Sequence, residues 1–168
     1  MQFNSLHDVF VDQLADLHDA ERQLVQALPK MAAAASNDQL RDAFEHHLAE
    51  TRDHVARLED IFGQLGTSMP TEPCEAMEGL IREGEEIIAA RGDTAAKDAA
   101  LIAAAQRVEH YEIAAYGTAR TLAGELGFDD AQGLLDQTLD EESQADKLLT
   151  KIATGGLLRA GINKEAAR

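Results

Sequence analysis

Residues 100–118 read ALIAAAQRVEHYEIAAYGT. Taken at alternating three- and four-residue steps, Ile102, Ala105, Glu109, Glu112, Tyr116 and Ala119 fall on one face of a helix with about 3.6 residues per turn. That face is apolar except for its two glutamates. Two other stretches repeat the pattern: Phe10, Leu14, Leu17, Glu21, Leu24, Leu28 near the start, and Leu134, Thr138, Glu141, Ala145, Leu148, Ile152 near the end. Each glutamate points where its leucine and alanine neighbours point, into a helix–helix seam. A lone carboxylate there costs several kcal/mol or takes up a proton. Several converging on a divalent metal offset one another's desolvation through coordination. The pattern predicts an all-α protein whose helices enclose metal-binding carboxylates.

The composition agrees with that class. The chain has 168 residues, of which 45% are hydrophobic and only 4% aromatic, with no Trp. Ala, Leu, Glu, Asp and Gln dominate, and these favour helices over sheets. The length suits one domain with a substantial core and is short for two. A formal charge of −16 and a pI near 4.6 argue against nucleic acid and anionic membranes as partners, because phosphate contacts need clustered Lys and Arg. Cations suit such a field, which raises their local concentration around any route inward. Cys74 is the single cysteine and cannot form an intrachain disulfide, and the opening residues MQFNSLHDVF lack a basic region followed by an apolar run. A cytoplasmic location is expected. No apolar stretch approaches the roughly 20 residues of a membrane span.

The first helix is expected from Asn4 or Ser5, with Asp8 in its first turn, to about Ala35. Pro29 lies inside it and should kink it near residues 25–29. Ser36 and Gln39 fit a capping box, and Leu40, Phe44, Leu48, Thr51, Val55, Leu58 and Phe62 carry a second helix to Gly63 or Gly66. The very short link makes these two helices antiparallel neighbours. From Gly66 to Pro73 the composition turns to Gly, Thr, Ser and Pro, opening a crossover that holds a short helix, about Glu75 to Ala90. Long helices follow from about Thr94 to Leu126 and from about Asp129 to Thr154, ended by Gly127 and by Gly155 and Gly156. Residues 1–158 are thus read as a helical bundle and 159–168 as a poorly ordered tail. Two antiparallel hairpins joined by a long connection is the ferritin-like four-helix arrangement.

Dimetal sites of that architecture take one Glu from each of two helices and a Glu-x-x-His pair from each of the others. This chain supplies Glu21, Glu50, Glu109 with Glu112, and Glu141 on its four long helices. The histidines depart from the pattern. Three residues after Glu50 stands Asp53, with His54 one further on, and three after Glu141 stands Gln144. The segments LHDAERQL (17–24), HLAETRDHVARLEDIF (47–62), CEAMEGLI (74–81), ALIAAAQRVEHYEIAAYGT (100–118) and TLDEESQADKLLTKIA (138–153) resemble the YciF-type stress-response proteins, a branch of the ferritin-like superfamily. VEHYE, an E-x-x-E pair, is also similar to the third-helix motif of rubrerythrins, which carries two glutamate ligands. The resemblance covers most of the chain. It implies Glu21, Glu50, Glu109, Glu112 and Glu141 as metal ligands, with His54 as nitrogen donor.

Other assignments compete. Glu21 could pair with Arg22 or Arg120, and His54 could hydrogen-bond to Glu50 instead of ligating. Asp53 is expected to face solvent, and His46 and His47 to lie outside the ligand set. On the adjacent stripe Leu135, Leu139, Glu142, Asp146, Leu149, the acids Glu142 and Asp146 compete with Glu141. Glu141 ranks first because matching Leu48 with Leu139, and Leu58 with Leu149, sets it opposite Glu50. Tyr111 and Tyr116 flank the third-helix acids as packing residues, hydrogen-bond donors or redox-active phenols. There is no glycine-rich phosphate loop, G-x-S-x-G, C-x-x-C or H-E-x-x-H, so hydrolase, kinase and dehydrogenase chemistry has no support. The expected protein is a homodimeric stress protein binding two iron or manganese ions. It acts on oxygen or peroxide by ferroxidase, peroxidase or catalase-like turnover. The alternative is a structural or interaction protein of the same fold with a vestigial site.

Overall fold

The computed structural model describes residues 2–156 and 160–168, and among them the regular structure is helical: α1 (Leu6–Ala34), α2 (Asp38–Leu65), α3 (Glu75–Ala89), α4 (Thr94–Glu125), α5 (Asp129–Thr154) and α6 (Ile162–Ala166). Helix α1 begins as expected: Ser5 accepts from the Asp8 amide while Asp8 accepts back from the Ser5 amide, so two otherwise unpaired N–H groups are satisfied. Pro29 lies within α1, which continues unbroken to Ala34. The cap of α2 is Asn37, whose side chain accepts from the Leu40 amide at 3.2 Å, and not the Ser36–Gln39 box. Ser36 instead donates its amide to Asp98 of α4 at 2.9 Å, and the Asn37 amide donates to the same carboxylate at 2.8 Å. The buried Asp98 thereby ties the α1–α2 turn to the second hairpin.

Helix α1 pairs with α2 and α4 with α5, while α1 against α4 and α2 against α5 close the bundle. Helix α3 rests on α1 and α4. Its first turn is tethered by Asp19 of α1, which accepts from the Cys74 amide at 2.7 Å. The segment expected to be a loose tail carries α6, which packs on α4 and α5 with Ile162 buried; Arg159 lies outside the described residues. No helix among the described residues is long and apolar enough to cross a membrane.

The core divides into two apolar layers. One contains Leu24, Leu28, Leu40, Phe44, Leu101, Ile102 and Leu149, and the other Phe10, Leu14, Leu17, Leu58, Ile61, Tyr116 and Leu135. Each long helix passes from one layer to the other through a polar position: Glu21 between Leu17 and Leu24, His47 to His54 between Phe44 and Leu58, Glu109 and Glu112 between Ala105 and Tyr116, and Glu142 between Leu135 and Leu149. The interruption falls at one level in all four helices, so the bundle encloses a polar layer walled by hydrocarbon.

Candidate metal centre

The stripes read for α1 and α4 are buried at every position, so Glu21, Glu109 and Glu112 point into the bundle. On α5 the buried line is Ala131, Leu135, Thr138, Glu142, Leu149 and Ala153. The second-ranked neighbour Glu142 is fully buried, whereas Glu141 keeps 22% of its side chain exposed and is clasped by Arg57 at 2.5 and 3.0 Å. The two candidate stripes differ by one residue, about 100° of rotation, and both carry leucines. Only the packed partners choose between them.

Helix α2 holds the second difference. His54 is buried, and so is His47, set aside from the sequence. The signal was present: His47, Thr51, His54 and Leu58 keep the 4-3-4 step of an inward face. Glu50 lies beside that face, partly exposed. Its Oε2 is 3.5 Å from His47 Nδ1 and its Oε1 3.3 Å from the exposed His46. Asp53 and Gln144 are exposed, and Asp146 accepts from Gln106 at 3.0 Å away from the centre.

Two overlapping groups result. His47, Glu109, Glu112 and Glu142 form one, and Glu21, His54 and Glu142 the other; in each, one potential ligand atom per residue lies within 4.8 Å of all the rest. Glu142 belongs to both. His54 Nδ1 stands 3.0 Å from Glu142 and 3.2 Å from Glu21, and His47 Nε2 stands 3.6 Å from both Glu109 and Glu142. Tyr116 donates its hydroxyl to Glu21 Oε1 at 2.5 Å. Tyr111 is turned away, its hydroxyl 3.0 Å from Cys74 Sγ.

These groups are poorly satisfied as they stand. Both oxygens of Glu112 and of Glu142, Oε2 of Glu21 and of Glu109, both ring nitrogens of His47 and Nδ1 of His54 are buried without an aligned hydrogen bond. Such a concentration of unpaired polar atoms is costly for a fold and is what metal coordination would relieve. The donor set fits: four carboxylates balance the charge of two divalent cations, with two neutral imidazoles completing the set.

The electrostatics of the metal-free centre carry the same strain. Burial, then the charges of Glu142, Glu21 and Glu109, pushes the Glu112 carboxyl well above the ordinary range. Burial raises Glu109 likewise, against the pull of His47. Burial disfavours the His54 imidazolium, but contact with Glu142 and Glu21 overcomes it and lifts the ring to about 11. For His47 burial is likewise overcome, by Glu109, Glu50 and Glu142, and the ring rises to about 9. Glu142 ends below its usual value because His54 and His47 outweigh its burial.

Glu141 is not idle. Its own burial is overridden by hydrogen bonds from Arg57, Gln137 and His54, which hold its carboxyl down near about 2. As an ionised acceptor 2.9 Å from His54 Nε2, it requires the proton of the neutral ring on Nε2 and leaves the Nδ1 lone pair toward Glu21 and Glu142. That is the carboxylate–histidine arrangement found behind metal ligands. Glu50 Oε2 lies 3.5 Å from His47 Nδ1 without an aligned hydrogen bond.

A four-helix bundle of two hairpins, with a helical crossover and a buried layer of glutamates and histidines, defines a ferritin-like protein with a carboxylate–histidine centre. The chain belongs to the family described as a domain of unknown function, DUF892, which matches residues 5–167. It is 44% identical to Protein YciF of Escherichia coli K12 over 165 residues, 98% of this chain and 99% of that one. The crystal structure of the E. coli stress protein YciF superimposes with a TM-score of 0.86 at 45% identity, covering 89% of this chain and 94% of that one. YcfI of Rhodopseudomonas palustris gives a TM-score of 0.86 at 40% identity over 89% and 96% of the two chains. A protein of Xanthomonas campestris shares the fold, with a TM-score of 0.70 at 20% identity over 88% and 89% of the two chains.

Proposed function

We propose that this protein binds two iron or manganese ions in its bundle core and works as an oxidoreductase of stress conditions, the setting named for its E. coli relative. The observation that carries the reading is the set of buried, unpartnered ligand atoms on Glu21, His47, His54, Glu109, Glu112 and Glu142. Glu142, common to both groups, would serve both ions. Glu21 with His54 would hold one, and His47 with Glu109 and Glu112 the other. Glu141 orients the His54 imidazole, so one of the acids assigned from the sequence acts through a histidine. When bound, such a pair supplies Lewis-acid and one-electron redox chemistry toward dioxygen or peroxide.

The chain's own residues set the conditions for that chemistry. The apolar layers above and below exclude bulk water, which strengthens every charge interaction inside. Tyr116 fixes Glu21 through Oε1, the oxygen 3.2 Å from His54 Nδ1, and leaves Oε2 buried and unpartnered; its own phenolic proton, held by burial and Glu21, stays on at neutral pH. A cavity of about 40 Å³, lined by Leu24, Leu28, Met31, Leu80 and Ile81, reaches His47 and Glu109 from beneath α3. Its walls suit an uncharged molecule and repel a hydrated ion.

Elemental analysis of protein loaded with iron or manganese should find two ions per chain, and Glu112→Ala should hold fewer. The loaded protein should consume peroxide or oxidise ferrous ion faster than that variant. Equal turnover with two ions bound would favour the non-catalytic scaffold, and metal content at background would end the dimetal reading.

A further inference from the structure

We infer that His46 and Glu50 form a relay through which divalent cations reach the centre, along a line of donors in a cleft between α2 and α5, and that Glu50 passes ions inward instead of holding one at rest. This rests on the metal-centre reading and adds a route to it. The cleft has a volume of about 220 Å³, with His46, Glu50 and Gln144 along it and His47 and Glu109 at its end. Exposure falls in steps: 69% for the His46 side chain, 26% for Glu50, 6% for His47 and 4% for Glu109. Donors alternate along the same line. Glu50 Oε1 is 3.3 Å from His46 Nε2, its Oε2 is 3.5 Å from His47 Nδ1, and His47 Nε2 is 3.6 Å from Glu109 and from Glu142.

A cation moving along that line exchanges one ligand at a time and is never stripped bare, which keeps the desolvation cost of each step small. Both ring nitrogens of His47 are buried and free of hydrogen bonds, so Nδ1 is open to a cation on the cleft side while Nε2 faces the inner acids Glu109 and Glu142. Among the described residues, two other approaches suit a cation less. Beneath α3 the cavity is walled by aliphatic side chains. At the His54 end, the Arg57 guanidinium, bonded to Thr138 at 3.0 Å, is paired with Glu141 and so occupies the carboxylate an incoming cation would use there. With a net charge of −16, the protein draws cations to its surface, and His46 with Glu50 offers them a partly desolvated foothold.

The test is a loading experiment on metal-free, full-length protein with cobalt(II) as the probe, read by stopped-flow absorbance for rate and by equilibrium titration for stoichiometry. E50Q should load about tenfold more slowly while still reaching two ions, since removing a steering charge acts on the rate of capture. H46A and Q144K, both at exposed positions and so safe for folding, should also be slowed, and E78Q on α3 should load as wild type. Equal rates in all variants would overturn the relay and leave the centre intact. An E50Q protein that binds one ion fewer would overturn it differently, by making Glu50 a resident ligand. Wild-type protein that takes up no cobalt would remove the relay together with the centre it serves.

Discussion

Exchange of Glu142 for glutamine against exchange of Glu141 for glutamine separates the packed structure from the pattern of the sequence. Both changes preserve volume and remove one carboxylate from neighbouring positions on α5. Glu142 is fully buried, lies 3.0 Å from His54 and 3.6 Å from His47, and is the residue shared by the two ligand groups. A four-ligand metal site is worth about 10–16 kcal/mol, roughly 3 kcal/mol per ligand, so losing one weakens an ion about a hundredfold. Because Glu142 serves both groups, both ions should be affected. Glu141 reaches the centre only through His54, at 2.9 Å. Loss of such an orienting partner costs about 10–100-fold in affinity, toward the lower end when an amide oxygen can still accept the ring N–H. One ion should be affected. At free metal about ten times the wild-type dissociation constant, simple binding predicts about 1.8 ions per chain for wild type, about 0.2 for Glu142→Gln and about 1.4 for Glu141→Gln. Equilibrium dialysis followed by elemental analysis measures this directly, with melting curves at pH 5 confirming that both variants fold. If Glu141→Gln empties the protein while Glu142→Gln stays loaded, the inward rotation of α5 assigned to Glu142 is wrong.

Two further outcomes follow from the same geometry. Without metal, Glu21, Glu109, Glu112, His47 and His54 all have folded pKa values raised above their unfolded ones. The folded state therefore binds protons more tightly. The carboxyl penalty sets in above about pH 4.3, and the stabilisation from the histidines, full below about pH 6.5, is lost as pH rises. For the two rings that loss runs through about 9 and about 11. Glu141 and Glu142, lowered, withdraw their stabilisation as pH falls below about 4.3. Chelator-treated protein should thus melt highest between about pH 4.5 and 6.5 and lower at pH 8, while loaded protein gains toward pH 8 because ligands must be deprotonated; a metal-free melting temperature that climbs from pH 5 to 8 would contradict this. Asp98→Ala strips the acceptor from two amides at the α1–α2 turn and should cost about 1–3 kcal/mol in urea unfolding, against almost nothing for Asp93→Ser, which keeps a capping oxygen at the start of α4.

The sequence alone determined the helices, their order and most of their limits, since apolar steps of three and four, Ser5 with Asp8, and glycines at the helix ends are local signals that need no partner. It also determined Glu21, Glu109 and Glu112, because the apolar stripes of α1 and α4 leave one inward face for each. The rotation of α2 and α5 was decided only by packing. On α5 the stripes through Leu134 and Leu148 and through Leu135 and Leu149 both carry leucines at the spacing of an inward face. On α2 the line through Leu48 and Val55 competes with that through His47 and His54, which looks too polar to be buried until its neighbours are known. An imidazole or carboxylate becomes tolerable in a core when groups from three other helices meet it there. That meeting is a property of the assembled bundle: His47 and His54 turn inward because Glu109, Glu142 and Glu21 arrive at the same level from α4, α5 and α1.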